Sequence, residues 1–360
     1  MRVLHCITSL DVGGSQRQLA LLSRVLPRHG WDVHVASLQG GPFAHALDPA
    51  TTIHFVEHTN ARVPLRLAGL IGRLRPAVVQ TWLLHMDVLG GLAALARAVP
   101  WIATERSSAR GYPLRLSTGT RALLVGRADA LVANSAGGLD LWRRRGRPAT
   151  LRLIRNALDL DLTLAAPQLP AGVTVAEGSA VIVYAGRLVA DKGVRVLLHA
   201  LARVRRDRPA TALLCGTGPL ESELRRLADD LGIADMVIFA GFVPDMGAVL
   251  RRADIFVSLS LVEGSPNAVQ EAMACGTPVV LSDIAAHREM ADPRAAVFVD
   301  GQDASAVADA LIACLRDRPE ARARAACAQA LARAWSPEAM GADYDVVYRH
   351  VLDRRRAGEP

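Results

Sequence analysis

The chain has 360 residues, enough for about two domains of ~150 residues each, and its 51% hydrophobic and 21% charged content can bury two sizeable cores. That composition excludes disorder, collagen and coiled coil, and 4% aromatics with abundant Ala, Leu and Val predicts helices packed on buried parallel sheets. The net charge of +7 is uneven, since residues 1–165 carry 20 Arg against 10 acidic residues and the remainder 22 basic against 25 acidic. The first half should therefore meet something anionic, such as a membrane surface or a polyprenyl phosphate. Nucleic acid is disfavoured because the basic residues are scattered with few aromatics to stack on bases.

From the N-terminus, short apolar, β-branched runs alternate with amphipathic stretches, the βαβ signature. Met1 to Ile7 reaches Asp11 before a long apolar region develops, so it reads as a first strand and not as a signal peptide, and the chain is expected in the cytoplasm. Strands are predicted near 2–7, 32–38, 77–81, 101–104, 129–133 and 151–155, with helices near 16–28, 64–74, 114–126 and 135–145. The apolar run Val88 to Ala96 is far shorter than the ~20 residues of a membrane span. Asn156 to Ala180, rich in Ala, Pro, Gly and Asp, reads as a linker.

A second series follows, with strands Val181 to Ala185, Thr211 to Cys215, Val237 to Ala240, Asp254 to Ser258, Pro278 to Leu281 and Ala296 to Val299, and helices near 193–206, 219–231 and 267–274. Residues 303–355 read as helices, and Arg354 to Pro360 as a frayed tail. The expected fold is α/β: two facing Rossmann-like, doubly wound parallel-sheet domains, 1–165 and 166–335, enclosing a cleft lined by βα loops. Residues 336–360 are expected to form a helix crossing back to the first domain. The five cysteines, Cys6, Cys215, Cys275, Cys314 and Cys327, are far apart and lack a CxxC pair, so neither a disulfide framework nor a zinc site is expected.

Two segments carry chemistry on their own residues. Strand Val181 to Ala185 runs into Gly186-Arg187 and Asp191-Lys192-Gly193, where a planar guanidinium and a compact ammonium with free helix amides suit a diphosphate. The bland alternative is a solvated loop, but Lys192 is the single lysine among 42 basic residues. After strand Asp254 to Ser258 comes Glu263-Gly264-Ser265-Pro266-Asn267 with Glu271 beyond it. Ser265 should cap a helix with Pro266 at its first position, leaving Glu263 in the loop and Glu271 about a turn inside. Helix charge complementation would explain Glu271 but not Glu263. One carboxylate could accept from sugar hydroxyls while helix amides meet phosphate.

The run Ala253 to Val280, with its Glu-x7-Glu spacing, resembles the signature of glycosyltransferase family 4, the retaining enzymes of GT-B fold. Tyr184-Ala-Gly186-Arg187, Asp191-Lys192-Gly193, Gly216-Thr-Gly218-Pro219, Gly241-Phe242-Val243 and Ile154 to Asp159 resemble its lesser landmarks. The resemblance implies that Arg187 and Lys192 neutralise a departing nucleoside diphosphate without a divalent metal, that Glu271 holds ribose hydroxyls, and that Glu263 holds the donor sugar near its anomeric carbon. Gly186, Gly216, Phe242, Val243, Gly264, Ser265, Pro266 and Asn267 would line the donor, as would Gly13 and Gly14 in a loop that resembles the family's glycine loop. That loop is no GxGxxG fingerprint, and a generic turn would need the same glycines. His85 would face the donor sugar or acceptor, although a lone histidine on an apolar stretch is more often structural. Glu105 and Arg106 are the candidate acceptor residues, with Arg106 either binding an acceptor phosphate or pairing with Glu105 on the surface. Asp159-Leu-Asp161 matches the Asp-x-Asp metal signature of the other glycosyltransferase architecture but sits at the linker, and is rejected.

The resemblance implies transfer of a hexose or N-acetylhexosamine from a nucleotide sugar, UDP-linked, to a glycan or polyprenyl-diphosphate-linked acceptor in bacterial surface polysaccharide synthesis. The enzyme would need no cofactor and would sit in the cytoplasm or peripherally at the inner membrane. The competing readings are a nucleotide-sugar epimerase or phosphorylase-like enzyme of the same architecture, and a sugar-binding subunit that has lost its chemistry.

Overall fold

A computed structural model describes every residue except 58–61, 107–115, 146–147, 149, 160–163, 165, 171 and 359–360, with 116–118 described by backbone alone. The chain divides into two compact units, Met1–Ala157 with Trp335–Pro360, and Leu158–Ala334. The division falls at 157/158, some residues before the sequence-based boundary of 165.

The first unit is built on strands β1 (Arg2–Ser9), β2 (Asp32–Gln39), β3 (Thr52–Phe55), β4 (Val78–Thr81), β5 (Trp101–Glu105), β6 (Ala130–Ala133) and β7 (Thr150–Leu153). All are parallel, in the order β3-β2-β1-β4-β5-β6-β7. Central strands such as Val78–Thr81 and Ala130–Ala133 are buried on both faces, which is why neither alternates apolar and polar residues and Ala130–Ala133 is apolar throughout. Its helices before the domain boundary are α1 (Gly14–Val25), α2 (Val63–Leu74), α3 (Leu83–Ala96), α4 (Leu116–Val125) and α5 (Ala136–Arg144). Two of these elements carry no sequence signal. Strand β3 lies at the sheet edge and is only partly buried, so Thr-Ile-His-Phe shows no core face. Helix α3 is apolar on nearly every side, which erases the 3.6-residue period.

The second unit carries β8 (Ala180–Ala185), β9 (Ala210–Cys215), β10 (Val237–Gly241), β11 (Ile255–Ser258), β12 (Val279–Ser282) and β13 (Val297–Val299), ordered β10-β9-β8-β11-β12-β13 and again parallel. Around it run α6 (Val194–Asp207), α7 (Glu221–Asp230), α8 (Met246–Arg252), α9 (Asn267–Ala274), α10 (Ala285–Arg288), α11 (Ala304–Arg316) and α12 (Arg318–Ala332). Short α8 and α10 escape a periodicity search for want of length. Helix α9 begins one residue later than expected: Pro266 is the cap rather than the first helical residue, because its ψ of 99° is extended.

The last helix, α13 (Pro337–Arg356), belongs to the first unit. Met340, Tyr344, Val347, Tyr348 and Val351 enter the core around α1, and Trp31 Nε1 donates to Asp345 Oδ1 at 2.7 Å. The expected frayed tail is instead helical through Arg356. Ser336 caps the helix, Pro337 and Glu338 fill its first turn, and Arg354, Arg355 and Arg356 meet the negative end of its dipole. Arg354 and Arg355 are further held by Thr150 and Asp129. No helix among the described residues is long and apolar enough to cross a membrane.

Candidate functional site

In the second unit the chemistry gathers at the carboxyl ends of β8, β9, β10 and β11. Gly186 N donates to Cys215 O (2.9 Å), Leu188 N to Thr217 O (3.0 Å) and Gly216 N to Gly241 O (2.7 Å), stitching three consecutive loops together. A Cβ on Gly216, at φ 140°, would stand 2.0 Å from the Gly186 carbonyl oxygen, so only glycine lets these loops touch backbone to backbone. Gly193, at φ 69°, likewise allows Leu259 O an approach that a Cβ would meet at 2.4 Å. Leu261 N donates to Asp191 O at 2.8 Å and fixes the β11 loop on the β8 loop.

That contact delivers Lys192 to Glu263. Lys192 Nζ donates to Glu263 Oε1 at 2.5 Å, and Ser260 Oγ donates to the same oxygen at 2.8 Å. The two ionic side chains are 16% and 17% exposed, so the pair is sheltered yet open on one side. Arg187 lies exposed on the same loop, and its carbonyl oxygen accepts from Tyr184 OH at 2.9 Å. Burial, reinforced by Glu263 and Asp191 nearby, holds the Tyr184 phenol well above its ordinary value, so it remains a donor.

Beneath Glu263 lies a layer with no motif in the sequence. Ser282 Oγ donates to Ser260 O at 2.6 Å. The fully buried His287 places Nδ1 2.8 Å from the Ser282 carbonyl and Nε2 3.4 Å from Ser258 Oγ. Desolvation lowers the His287 pKa despite the opposing Ser282 carbonyl and Glu263, so the ring is neutral, donates from Nδ1 and accepts at Nε2. This layer fixes Ser260, which in turn orients Glu263.

Of the other expected donor residues, Phe242 is 64% exposed while Val243 is buried, and Gly264, Ser265 and Asn267 form a half-buried turn into α9 with Pro266 buried. Glu271 is 5% exposed, about one turn inside α9.

In the first unit Gly13 caps α1 in an extended conformation and Gly14 opens the helix. Gln16 folds back to donate from Nε2 to Ser9 O at 3.2 Å, filling the space where a Gly13 Cβ would stand, 2.4 Å from its Oε1. His85 is exposed in the first turn of α3. It follows Leu83, whose φ of 70° is a left-handed conformation costing a branched residue ~1–3 kcal/mol. Sequence cannot show such strain, and here it sits two residues from the candidate histidine.

The acceptor pair divides. Arg106 lies 5.0 Å over the Trp82 ring and donates from Nη2 to Asn156 Oδ1 at 2.9 Å. Burial lowers its pKa from the ordinary guanidinium value. Glu105 does not face an acceptor and does not pair with Arg106 at the surface. It is fully buried, where its Oε2 accepts from Arg121 Nη1 at 2.8 Å and Trp142 Nε1 at 2.9 Å. The physical reason is its place on a strand covered on both faces, where a carboxylate must be paired. Arg121, 34 residues from Asp87 and 16 from Glu105, also donates from Nε to Asp87 Oδ2 at 2.7 Å. Of the rejected Asp159-x-Asp161 pair, Asp161 lies outside the described residues.

Comparison with known proteins identifies the family and the fold. Residues 12–162 match the family described as Glycosyltransferase Family 4, and residues 179–317 match Glycosyl transferases group 1. Phosphatidyl-myo-inositol mannosyltransferase of Mycobacterium leprae is 30% identical, with 88% of each chain covered. The lipopolysaccharide core biosynthesis glycosyltransferase LpsE of Rhizobium meliloti is 28% identical over 78% of each. The crystal structure of Anabaena HepE in complex with UDP-glucose superposes with a TM-score of 0.82 at 20% identity, covering 98% of this chain and 99% of that one. With both halves matched and a relative at this identity across nearly its whole length, the chain belongs to the group 1, family 4 glycosyltransferases and has the GT-B fold.

Proposed function

We propose that this glycosyltransferase moves a hexose or N-acetylhexosamine from a UDP-sugar, with retention at the anomeric carbon, to a glycan or lipid-linked acceptor of bacterial surface polysaccharide synthesis. The carrying observation is the sheltered Lys192–Glu263 pair, held by Ser260 beside the glycine loops after β8 and β9. When the bond between the anomeric carbon and the β-phosphate oxygen breaks, negative charge grows on the diphosphate. Lys192, held beforehand on Glu263, and Arg187 from the same loop stabilise that charge without a divalent ion. The acceptor hydroxyl attacks the face the diphosphate leaves, and its proton passes to a phosphate oxygen. Glu263 accepts from donor-sugar hydroxyls, Glu271 from the ribose, and His85 and Arg106 serve the acceptor side. The UDP-glucose complex of HepE supports a UDP-linked donor, and the relatives acting on phosphatidyl-myo-inositol and lipopolysaccharide core support a lipid-linked acceptor. The excess of Arg in residues 1–165 supports contact with an anionic inner-membrane surface.

A panel of nucleotide sugars screened by thermal stabilisation, followed by transfer assays on lipid-linked acceptors, tests this. Lys192→Ala should cut turnover by roughly 10²–10³ while the protein stays folded. Conversion of the donor with no acceptor present would favour an epimerase, and turnover unaffected by Lys192→Ala would remove the mechanism.

A further inference from the structure

The second sheet has another end. At its amino edge, where Asp254 precedes β11 and Pro278 precedes β12, a cavity of about 310 Å³ opens between the end of α8 and the start of α12. Lys192 and Glu263 lie at the opposite, carboxyl edge, so this cavity is separate from the donor-side loops. Four arginines line it: Arg251 and Arg252 from the last turn of α8, and Arg318 and Arg322 from the beginning of α12.

Charge is what sets the cavity apart. Asp254 is the single carboxylate in its lining. Its Oδ1 stands 3.3 Å from Arg318 Nη2, and its Oδ2 accepts from Val181 N at 2.8 Å. Four arginines thus line the cavity with one carboxylate, whose second oxygen already accepts from a backbone amide. Among the described residues neither Arg252 nor Arg322 has an ion-pair partner. The α8 arginines sit where a helix favours cations, at its carboxyl end. Those of α12 sit at its amino end, where the dipole opposes them. Arg318 and Arg322, four residues apart, share one helix face and repel each other as well. Repulsion of this kind is relieved by an anion with several oxygens, and the planar fork of Arg matches phosphate bidentately. The volume is that of a small-molecule site.

We infer that this cavity binds a small multivalent phosphate anion, of the pyrophosphate or sugar-phosphate class, at a second site remote from the donor. The inference stands apart from the proposed function, because it uses none of the residues of the donor loops.

Pyrophosphate titrated calorimetrically into an Arg187→Gln/Lys192→Ala variant tests it, since that background lacks the donor-loop cations. A single saturable site is expected, with affinity lowered about tenfold or more by adding Arg318→Gln and Arg322→Gln, and unchanged by Arg294→Gln, an exposed arginine paired elsewhere with Asp292. Should loss of the Asp254 pair impair folding, Arg252→Gln with Arg322→Gln leaves that pair intact and should weaken binding in the same way. The inference fails if no saturable heat appears, if these substitutions leave the isotherm unchanged, or if Arg294→Gln weakens it equally.

Discussion

Each unit contains a cation paired with carboxylate near strand ends, two carboxylates in the first and one in the second, and the two clusters differ in access to water. In the first, Arg121 is 3% exposed and its partners Asp87 and Glu105 are wholly buried. Thr81 Oγ1 donates to Asp87 and Trp142 Nε1 to Glu105, so the polar atoms are consumed within the core. In the second, Lys192 and Glu263 are each about one-sixth exposed, on glycine-shaped loops. Similar cation–carboxylate pairs therefore do different work: the sealed cluster ties β5, α3 and α4 together, while the open one can exchange its partner for a ligand. A charged residue at the end of a parallel strand is a candidate for chemistry only if its neighbours leave it a face.

The largest effect should come from breaking the sealed cluster. Arg121→Met leaves two carboxylates in the core without their guanidinium, and should lower the stability of the first unit by about 3–5 kcal/mol, read as a shift of the denaturant midpoint at unchanged slope. A loss under about 1 kcal/mol would mean that water reaches the cluster and that the contrast with Lys192 is false.

These clusters were also unequally legible in the sequence. Gly186, Lys192 and Gly193 announce themselves because turn glycines and a solitary lysine stand within a few residues of one another, and the strand-to-helix rhythm places Glu263, 71 residues from Lys192, at the same sheet edge. Glu105 could not be read correctly, because its partners Arg121 and Trp142 stand 16 and 37 residues away and nothing local selects them. Ser258, Ser282 and His287 were invisible for the same reason: their geometry exists only after β11 and β12 pair. Edge strand β3 and helix α3 failed oppositely, one too exposed to show a buried face and the other too apolar to show a polar one. The tail is expected to fray because chain termini usually do, whereas its three arginines at a helix carboxyl end are stabilising.

A smaller effect follows from the charge imbalance of the sealed cluster. Two carboxylates share one guanidinium, and burial, aided by the negative field of Glu105, raises the Asp87 pKa from 3.8 to about 6 despite Arg121 and Thr81. The native state then binds more protons than the unfolded chain between about pH 4 and 6. Stability contributed by this group must fall as pH rises through that window, by at most about 1.4 kcal/mol per unit, and level off above it. Asp87→Asn removes the titrating group. The difference in unfolding free energy between parent and variant should therefore decline from pH 4 to 6, and a difference that is flat or rises would show that Asp87 binds no more protons in the native state than in the unfolded chain.

The smallest expected change in stability is the most informative for the open cluster. Lys192→Met removes a cation from a pair that water already touches. Glu263 keeps the Ser260 hydroxyl, and Ser260 keeps its own support from Ser282. The uncovered carboxylate is therefore neither isolated nor dry, and the unfolding free energy should drop by no more than about 1 kcal/mol, the scale of a partly solvated ion pair. Turnover should nonetheless collapse, as for Lys192→Ala. Loss of 3 kcal/mol or more of stability would instead place Lys192 in the same class as Arg121, a structural bridge whose effect on activity follows from unfolding.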